Sequence, residues 1–351
     1  MSNGTFMLYG ATGYTGRLTA KLAKARGLTP ILAGRSADAV AALGRELDLS
    51  TRVFSLDDAR ATRAALDGVD VVLHAAGPFS ATSRPMVDAC LAAKVSYLDI
   101  TGEIAVFEAI FARDAEARAA GVSLVPGVGF DVVPTDCVAA LLKAELPDAT
   151  ELELAFAGLG SMSRGTLKTS LEGLPSAGRI RKDGALVRVP HAYRVKTIAF
   201  PHGERLVVSI PWGDVATAYR STGIPDIVVY MGASPGMVRQ MKLLRVVAPL
   251  LGVPALQRFL QRRLERRAAG PSDERRARGY SDVWGQVRNA AGQTASMALT
   301  TPEGYTLTAD SSLRAVLRVL AGDVAPGALT PSQAFGSRFV LECEGVVVAG
   351  G

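Results

Sequence analysis

An α/β protein is expected here: a Rossmann-type doubly wound parallel sheet, followed by a second α+β domain built on a mixed, largely antiparallel sheet. Three observations carry that reading. Strand-like and helix-like patterns alternate from Phe6 to about Phe130. The first strand runs straight into the glycine-spaced turn Gly10-Ala-Thr-Gly13-Tyr-Thr-Gly16. After Asp131 the alternation stops, and stretches with a period of two residues replace it.

Phe6-Met-Leu-Tyr9 has strand character, and Leu18, Leu22 and Ala25 repeat at helical spacing directly after the turn. A strand, a phosphate-binding turn and a helix follow from that order. Gly10 allows the tight turn, Gly13 lets the backbone approach a pyrophosphate, and Gly16 lets the helix pack on the sheet. Free N–H groups and the helix dipole favour anions at this helix N-terminus. Candidate cofactor contacts are therefore Gly10, Thr12, Gly13, Tyr14, Thr15 and Gly16.

The second strand, Thr29–Ala33, selects the nucleotide. An NAD-binding chain carries an acidic residue at its end for the ribose hydroxyls, but here the residues are Ala33-Gly34-Arg35-Ser36. Arg35, with Ser36, suits a 2′-phosphate, so NADP(H) is expected. A plain surface arginine is the alternative.

Further strands are expected at Arg52–Leu56, Val69–Ala75, Val95–Asp99 and Val122–Val125, with helices at Asp38–Leu47, Asp58–Leu66 and Arg84–Ala93. Ligands of such sheets bind beyond the carboxyl ends of the strands. That places Asp57 or Asp58 near an adenine. It also brings Ala75, Ala76, Gly77, Pro78 and Phe79, the loop Asp99–Glu103, and Gly129, Phe130 and Asp131 around a nicotinamide.

With 48% hydrophobic and 21% charged residues in 351, the chain has ample core for one large or two ordinary domains. Cys90, Cys137 and Cys343 show no metal-ligand spacing, so no metal site is expected, and a reducing cytoplasm fits. The first strand begins by about Thr5 without a preceding cationic segment and apolar run, so no signal peptide is expected.

The motifs Gly10–Gly16, Ala33–Ser36, Gly77-Pro-Phe79, Tyr97-Leu-Asp-Ile-Thr-Gly-Glu103 and Gly129-Phe-Asp-Val-Val-Pro-Thr-Asp136 together resemble the saccharopine dehydrogenase-like oxidoreductases. The branch with the bacterial trans-acting enoyl reductases is the most similar. The resemblance runs from Phe6 to about Ala140, with an echo at Leu329–Gly336. It implies an NADP-dependent oxidoreductase whose second domain binds substrate and makes the contact of a homodimer. Short-chain dehydrogenases also use glycine-rich turns, but they need a tyrosine with a lysine one helical turn on. None of the eight tyrosines here has a lysine four residues later.

In the second domain, strands are expected at Glu151–Phe156, Ala185–Val189, Tyr193–Phe200, Arg205–Ile210 and Ile227–Met231, with a hairpin through Gly203. A helix is expected at Ser163–Glu172. Gly292–Thr300 and Thr306-Leu307 read as a strand pair about the turn Thr301–Gly304. Ser311–Leu320 reads as a helix capped by Ser311, and Phe339–Cys343 as a strand. The resulting division is a dinucleotide-binding domain over 1–133, to which 325–351 returns, and a substrate and dimerisation domain over 134–324.

Met237–Arg278 stands apart, with 11 Lys or Arg against three acids, a net of +8 in a chain of +6. The basic character is thus local, and affinity for nucleic acid is not expected. Within it Val246–Gln257 is uncharged over twelve residues and interrupted by Pro249, Gly252 and Pro254, too short for a bilayer span of about 20. Cations around an apolar centre suit an anionic membrane surface, reached from the cytoplasm, or a greasy substrate. Packing on the protein's own second domain or a sister subunit is the plainer alternative.

Candidate catalytic residues are Asp131, at the end of the last strand, Tyr97 and Glu103. Against each stands a structural role: a helix cap for Asp131, core packing for Tyr97, an ion pair for Glu103. His74 is expected to be satisfied by backbone. Hydride transfer needs no covalent nucleophile, so little marked chemistry is expected. The leading functional expectation is NADPH-dependent reduction of an enoyl group on a small lipophilic substrate, carried or free. A membrane-associated cofactor-binding scaffold, and an imine reductase, are the alternatives.

Overall fold

Phe6–Tyr9 is buried along its whole length and forms β1, an inner strand of a seven-stranded sheet. Its neighbours are β2 (Ile31–Gly34) on one side and β4 (Val71–His74) on the other, both parallel. Strands covered on both faces by helices favour apolar residues, and all four residues of β1, β2 and β4 are buried, His74 included. β3 (Thr51–Val53), β5 (Ser96–Asp99), β6 (Ser123–Val125) and the two-residue β15 (Gly327–Ala328) complete the order β15-β6-β5-β4-β1-β2-β3. The crossovers are α1 (Tyr14–Ala25), α2 (Ala37–Leu47), α3 (Ala59–Ala64), α4 (Phe79–Ala93), α5 (Ile104–Phe111) and α6 (Asp114–Ala120). Met7, Tyr9, Val72, Met86, Tyr97 and Leu124 lie in its core.

The computed structural model describes residues 4–158, 178–251 and 270–349. It divides into two units. One holds the residues up to Val133 together with Tyr305–Phe339, the other Pro134–Gly304 with the chain from Val340.

The second unit is built on a mixed sheet, in the order β10-β11-β12-β7-β13-β14-β16. Its strands are β7 (Ala149–Ala157), β10 (Val195–Phe200), β11 (Gly203–Ser209), β12 (Asp226–Gly232), β13 (Tyr280–Asn289), β14 (Thr294–Pro302) and β16 (Val347–Val348). Only β7 and β12 run parallel along this path. A hairpin of β8 (Gly178–Lys182) and β9 (Ala185–Val189) joins at β12. The hairpin expected through Gly203 is present, with Phe200 opposite Gly203.

Three expected elements are corrected. Thr306 and Leu307 are helical, in the helix Gly304–Leu320, and the partner of β14 is β13. That strand buries Val283, Gly285, Val287 and Asn289 on alternate positions, a pattern that a glycine and an asparagine conceal. At Gly285 even a Cβ would lie 2.5 Å from Val138 Cγ1 of α7 (Val133–Glu145). Ser311 is interior to its helix rather than its cap, because the helix begins at Gly304. Phe339–Glu342 is a 3-10 turn rather than a strand, and the terminal strand is β16.

The domain limits shift accordingly. Residues 305–324, expected in the second domain, belong to the first unit, and the chain from Val340, expected to return to the first, pairs through β16 with β14. The expected helix Ser163–Glu172 lies outside the described residues. Of the basic stretch, the structure describes the helix Pro235–Leu251, which runs through Pro249, and the helix Asp273–Arg278. Arg245 is not a free surface cation: it donates to His191 O and Ala192 O at 2.8 Å each.

Candidate functional site

The turn after β1 is where the chain makes room for a ligand. Gly10 has φ +84°, a left-handed conformation that other residues resist. Its N–H and that of Ala11 donate to Ala33 O, at 2.8 and 3.2 Å, stitching the turn to the end of β2. A Cβ on Gly10 would lie 2.7 Å from Ala76 N, so the loop after β4 passes against bare backbone. At Gly16 a Cβ would press on Gly10 O and come 2.9 Å from Ala11 Cα.

Gly13 is different. It is the exposed N-cap of α1, supplies no side-chain cap, and a Cβ there would meet only Gly10 O, at 3.3 Å. The protein's own packing does not demand glycine at this point. A ligand lying on the helix N-terminus does, and no acidic side chain in the first turn opposes an anion. The cradle fits a pyrophosphate.

One strand over, Tyr9 hydroxyl donates to Phe54 O at 3.4 Å, and its ring lies 4.9 Å from that of Phe54. Burial raises its phenol; the positive charge of Arg35 opposes the rise and the negative charge of Asp57 adds to it. The structure thus brings Arg35 and Asp57, both exposed, around one hydroxyl at the ends of β1, β2 and β3. Ser36 is the N-cap of α2 but makes no side-chain cap bond. Asp58 is committed elsewhere, accepting from Ala61 N at 2.9 Å as the N-cap of α3. Of the two acidic candidates, Asp57 is the one whose charge, like that of Arg35, acts on the Tyr9 hydroxyl.

The loops after β4, β5 and β6 are locked to each other. Ala75 N donates to Tyr9 O at 2.8 Å, and Ala76 O accepts from Thr82 Oγ1 at 2.6 Å. Glu103 accepts from Phe79 N and Ser80 N at 2.8 Å each, so both its oxygens serve the N-terminus of α4, where the dipole favours a negative charge. Pro78, the N-cap of that helix, has no side-chain donor or acceptor to offer. Asp99, fully buried, accepts through Oδ1 from Thr101 N and Gly127 N at 3.0 and 2.9 Å, and its carbonyl accepts from Val128 N at 2.8 Å.

The candidate catalytic residues therefore separate. Tyr97 is wholly buried, with its hydroxyl turned to Asp99 and His74. Glu103 ties the β5 loop to α4. Asp131 keeps partial exposure at the end of the loop after β6, and desolvation pushes its carboxyl up to about 7. Its Oδ2 would be 2.8 Å from a Cβ on Gly102, so the glycine of the β5 loop leaves the space that this carboxylate occupies.

Sequence reasoning missed the residues that hold this loop. Thr308 Oγ1 accepts from Phe130 N at 3.0 Å, and Ser311 Oγ donates to Val128 O at 2.7 Å. Gly129 lies flat on Thr308, where a Cβ would be 2.8 Å from Cγ2. Nothing local marks a threonine and a serine inside an amphipathic helix for that task. Tyr305 of the same helix packs edge-on against Tyr14 of the glycine turn, ring centroids 4.9 Å apart.

Strand order, glycine turn and the basic end of β2 define a dinucleotide-binding domain of the Rossmann type. Residues 6–125 match the family described as the saccharopine dehydrogenase NADP binding domain. A Mycobacterium tuberculosis protein provisionally named a trans-acting enoyl reductase is 36% identical over 187 residues, 49% of this chain and 44% of that protein. A Mycobacterium bovis protein named trans-acting enoyl reductase is 29% identical over 205 residues, 53% of this chain and 48% of that one. The matched part is thus about half the length of either relative. The apo structure of a Saccharomyces cerevisiae saccharopine dehydrogenase (L-Glu forming) superposes with a TM-score of 0.68. It covers 97% of this chain and 96% of that one at 14% identity, a likeness of fold. Among the described residues no helix is long and apolar enough to cross a membrane.

Proposed function

We propose that this chain is an NADP(H)-dependent oxidoreductase that reduces the C=C bond of an enoyl group on a lipophilic acyl or polyketide-like substrate. The observation that carries the cofactor is Gly13: an exposed helix N-cap with room that only a ligand requires, in a domain matching a family that binds NADP. Arg35 supports the phosphorylated nucleotide, since it follows β2, at the turn where an NAD-binding chain carries its acidic ribose ligand. The names of the mycobacterial relatives support the enoyl substrate.

The bound cofactor would supply a hydride. The chain's own task is to grip it and to manage the accompanying proton. The N-terminus of α1 takes the pyrophosphate, Arg35 the 2′-phosphate, and the loops after β4 and β6 the nicotinamide end. Reduction of an enoyl group also needs a proton on the carbon next to the carbonyl. Asp131, which burial holds near pKa 7, is suited to deliver one at neutral pH.

The test is consumption of NADPH by the purified chain, offered enoyl thioesters, cyclic imines and aldehydes of matched chain length. Turnover confined to the enoyl set is the expected result. Turnover of imines alone would move the chain to C=N chemistry. Tight NADPH binding without turnover of any class would leave a cofactor-binding scaffold.

A further inference from the structure

Three buried polar side chains on adjacent strands form a single file behind the loop Ala75–Phe79. Asp99 Oδ2 and the Tyr97 hydroxyl are 2.8 Å apart, the hydroxyl is 3.3 Å from His74 Nδ1, and His74 Nε2 is 3.2 Å from Ala76 O. None of the three residues reaches solvent. Hydrogen atoms on this file can be counted, because each end is fixed. Ala76 O can only accept, so His74 Nε2 carries a hydrogen. A neutral ring then has a bare Nδ1, which needs the Tyr97 hydroxyl as its donor. The hydroxyl has one hydrogen, so once it points to His74 it has none for Asp99.

An ionised Asp99 would leave a lone pair unserved at one of these two contacts, inside the protein. A protonated Asp99 leaves none: Oδ2–H donates to Tyr97, Tyr97 to His74 and His74 to Ala76 O, while Oδ1 accepts from Thr101 N and Gly127 N. Moving the same proton to His74 would also satisfy every atom, but it creates a buried imidazolium and a buried carboxylate. We propose that Asp99 is held as a neutral carboxylic acid, and that through Tyr97 and His74 it positions the Ala76 carbonyl and with it the loop that faces the cofactor.

Desolvation pushes Asp99 up to about 6 and His74 down to about 3, so a proton held on this file sits on the carboxyl rather than the imidazole, and the carboxyl is mostly protonated below about pH 6. The bonds with Thr101 N, Gly127 N and the Tyr97 hydroxyl hold Asp99 back against that desolvation, while the negative charge of Glu103, on the loop after β5, adds to the rise; Glu103 faces Tyr97 as well, as does Cys90 of α4. The rings of Tyr9, Phe79 and Tyr97 pack around His74 and bring no charge near neutral pH. The file is thus a positioning device, whose direction is set by one proton.

That Ala75–Phe79 faces a cofactor rests on the proposed function, but the test does not. Infrared spectra of the apo protein at pH 5 should show the carbonyl stretch of a buried carboxylic acid, absent from Asp99→Asn. The carboxamide can reproduce the acid's pattern, donating to Tyr97 and accepting from Thr101 N and Gly127 N, so amide exchange across residues 75–80 should be unchanged in this variant. Tyr97→Phe cuts the file and should speed exchange there about three- to tenfold, the scale of one lost buried hydrogen bond. Absence of the acid band, or exchange in Asp99→Asn as fast as in Tyr97→Phe, would overturn the proposal. Both readouts use apo protein, so failure to bind NADPH would sink the functional reading alone.

Discussion

The Phe130 amide donates to Thr308 Oγ1 at 3.0 Å, across 178 positions of sequence. With the Ser311 bond to Val128 O, it pins the loop that ends in Asp131 to a helix from the far end of the chain. Thr308→Val keeps the shape and removes the acceptor. A buried N–H is then left without its partner, at a cost of about 1–3 kcal/mol. Thermal unfolding should register that loss, and NADPH should bind more weakly to the variant in calorimetry.

Gly13 and Gly16 should respond in opposite ways. Gly16→Ala drives a methyl group into Gly10 O and Ala11, so it should destabilise the apo protein by about 1–3 kcal/mol, the usual cost of overpacking. Gly13→Val meets little protein and has an ordinary extended backbone, so the apo protein should melt within a few degrees of the wild type. It should nevertheless lose nucleotide binding altogether. Normal NADPH binding by Gly13→Val would mean that the cradle is elsewhere.

Arg35 should decide between the two nicotinamide cofactors. We expect NADPH to bind at least about tenfold tighter than NADH, the scale of one charge-assisted contact. Arg35→Asp should reverse the order by removing the cation and leaving two carboxylates, with Asp57, near the ribose. Equal affinities in the wild type would remove the argument.

Asp131 links stability to activity through its raised pKa. Its folded carboxyl titrates at about 7 against about 4 in the unfolded chain, so the folded state binds more protons in that window. Stability from this group is fully present below about pH 4 and falls as pH rises to about 7, after which the loss is constant. Asp131→Asn should therefore gain stability over the wild type progressively between those values, read as a difference in melting temperature. If Asp131 also hands over the proton, the same variant should lose most of its turnover at pH 7, and wild-type turnover should fall above it.

The basic stretch 237–278 offers a separate test. Binding of its cations to an anionic surface should contribute about 1 kcal/mol each and weaken with salt. Vesicles with anionic lipid should then carry the protein down at low salt, neutral vesicles should not, and changing Arg262, Arg263, Arg266 and Arg267 to glutamine should abolish the effect. No sedimentation at low salt would leave this stretch as an internal or subunit contact.

Much of the first unit was legible because its physics is local. A parallel strand covered on both faces is largely apolar, so β1, β2 and β4 appear as short hydrophobic runs, with His74 the polar exception at the end of β4. The glycine turn is equally plain, since its spacing reports a backbone that must pass close to other atoms. Arg35 could be singled out from its place after β2 alone.

Other features depend on partners brought in from a distance. β13 was hidden because Gly285 sits on its buried face, where Val138 leaves no space for a side chain. The helix Gly304–Leu320 begins well before the Ser311 start that its pattern suggests, and its Thr308 and Ser311 look like ordinary small polar residues until Phe130 and Val128 arrive beside them. Glu103 carried the same negative charge in either reading, yet its role as the cap of α4 exists only once the ends of β4 and β5 lie side by side. Asp99 shows the divide most directly. The chain supplies an acid between Leu98 and Ile100, while its burial, its contact with Tyr97 and the resulting hold on a proton come from three neighbouring strands closing over it.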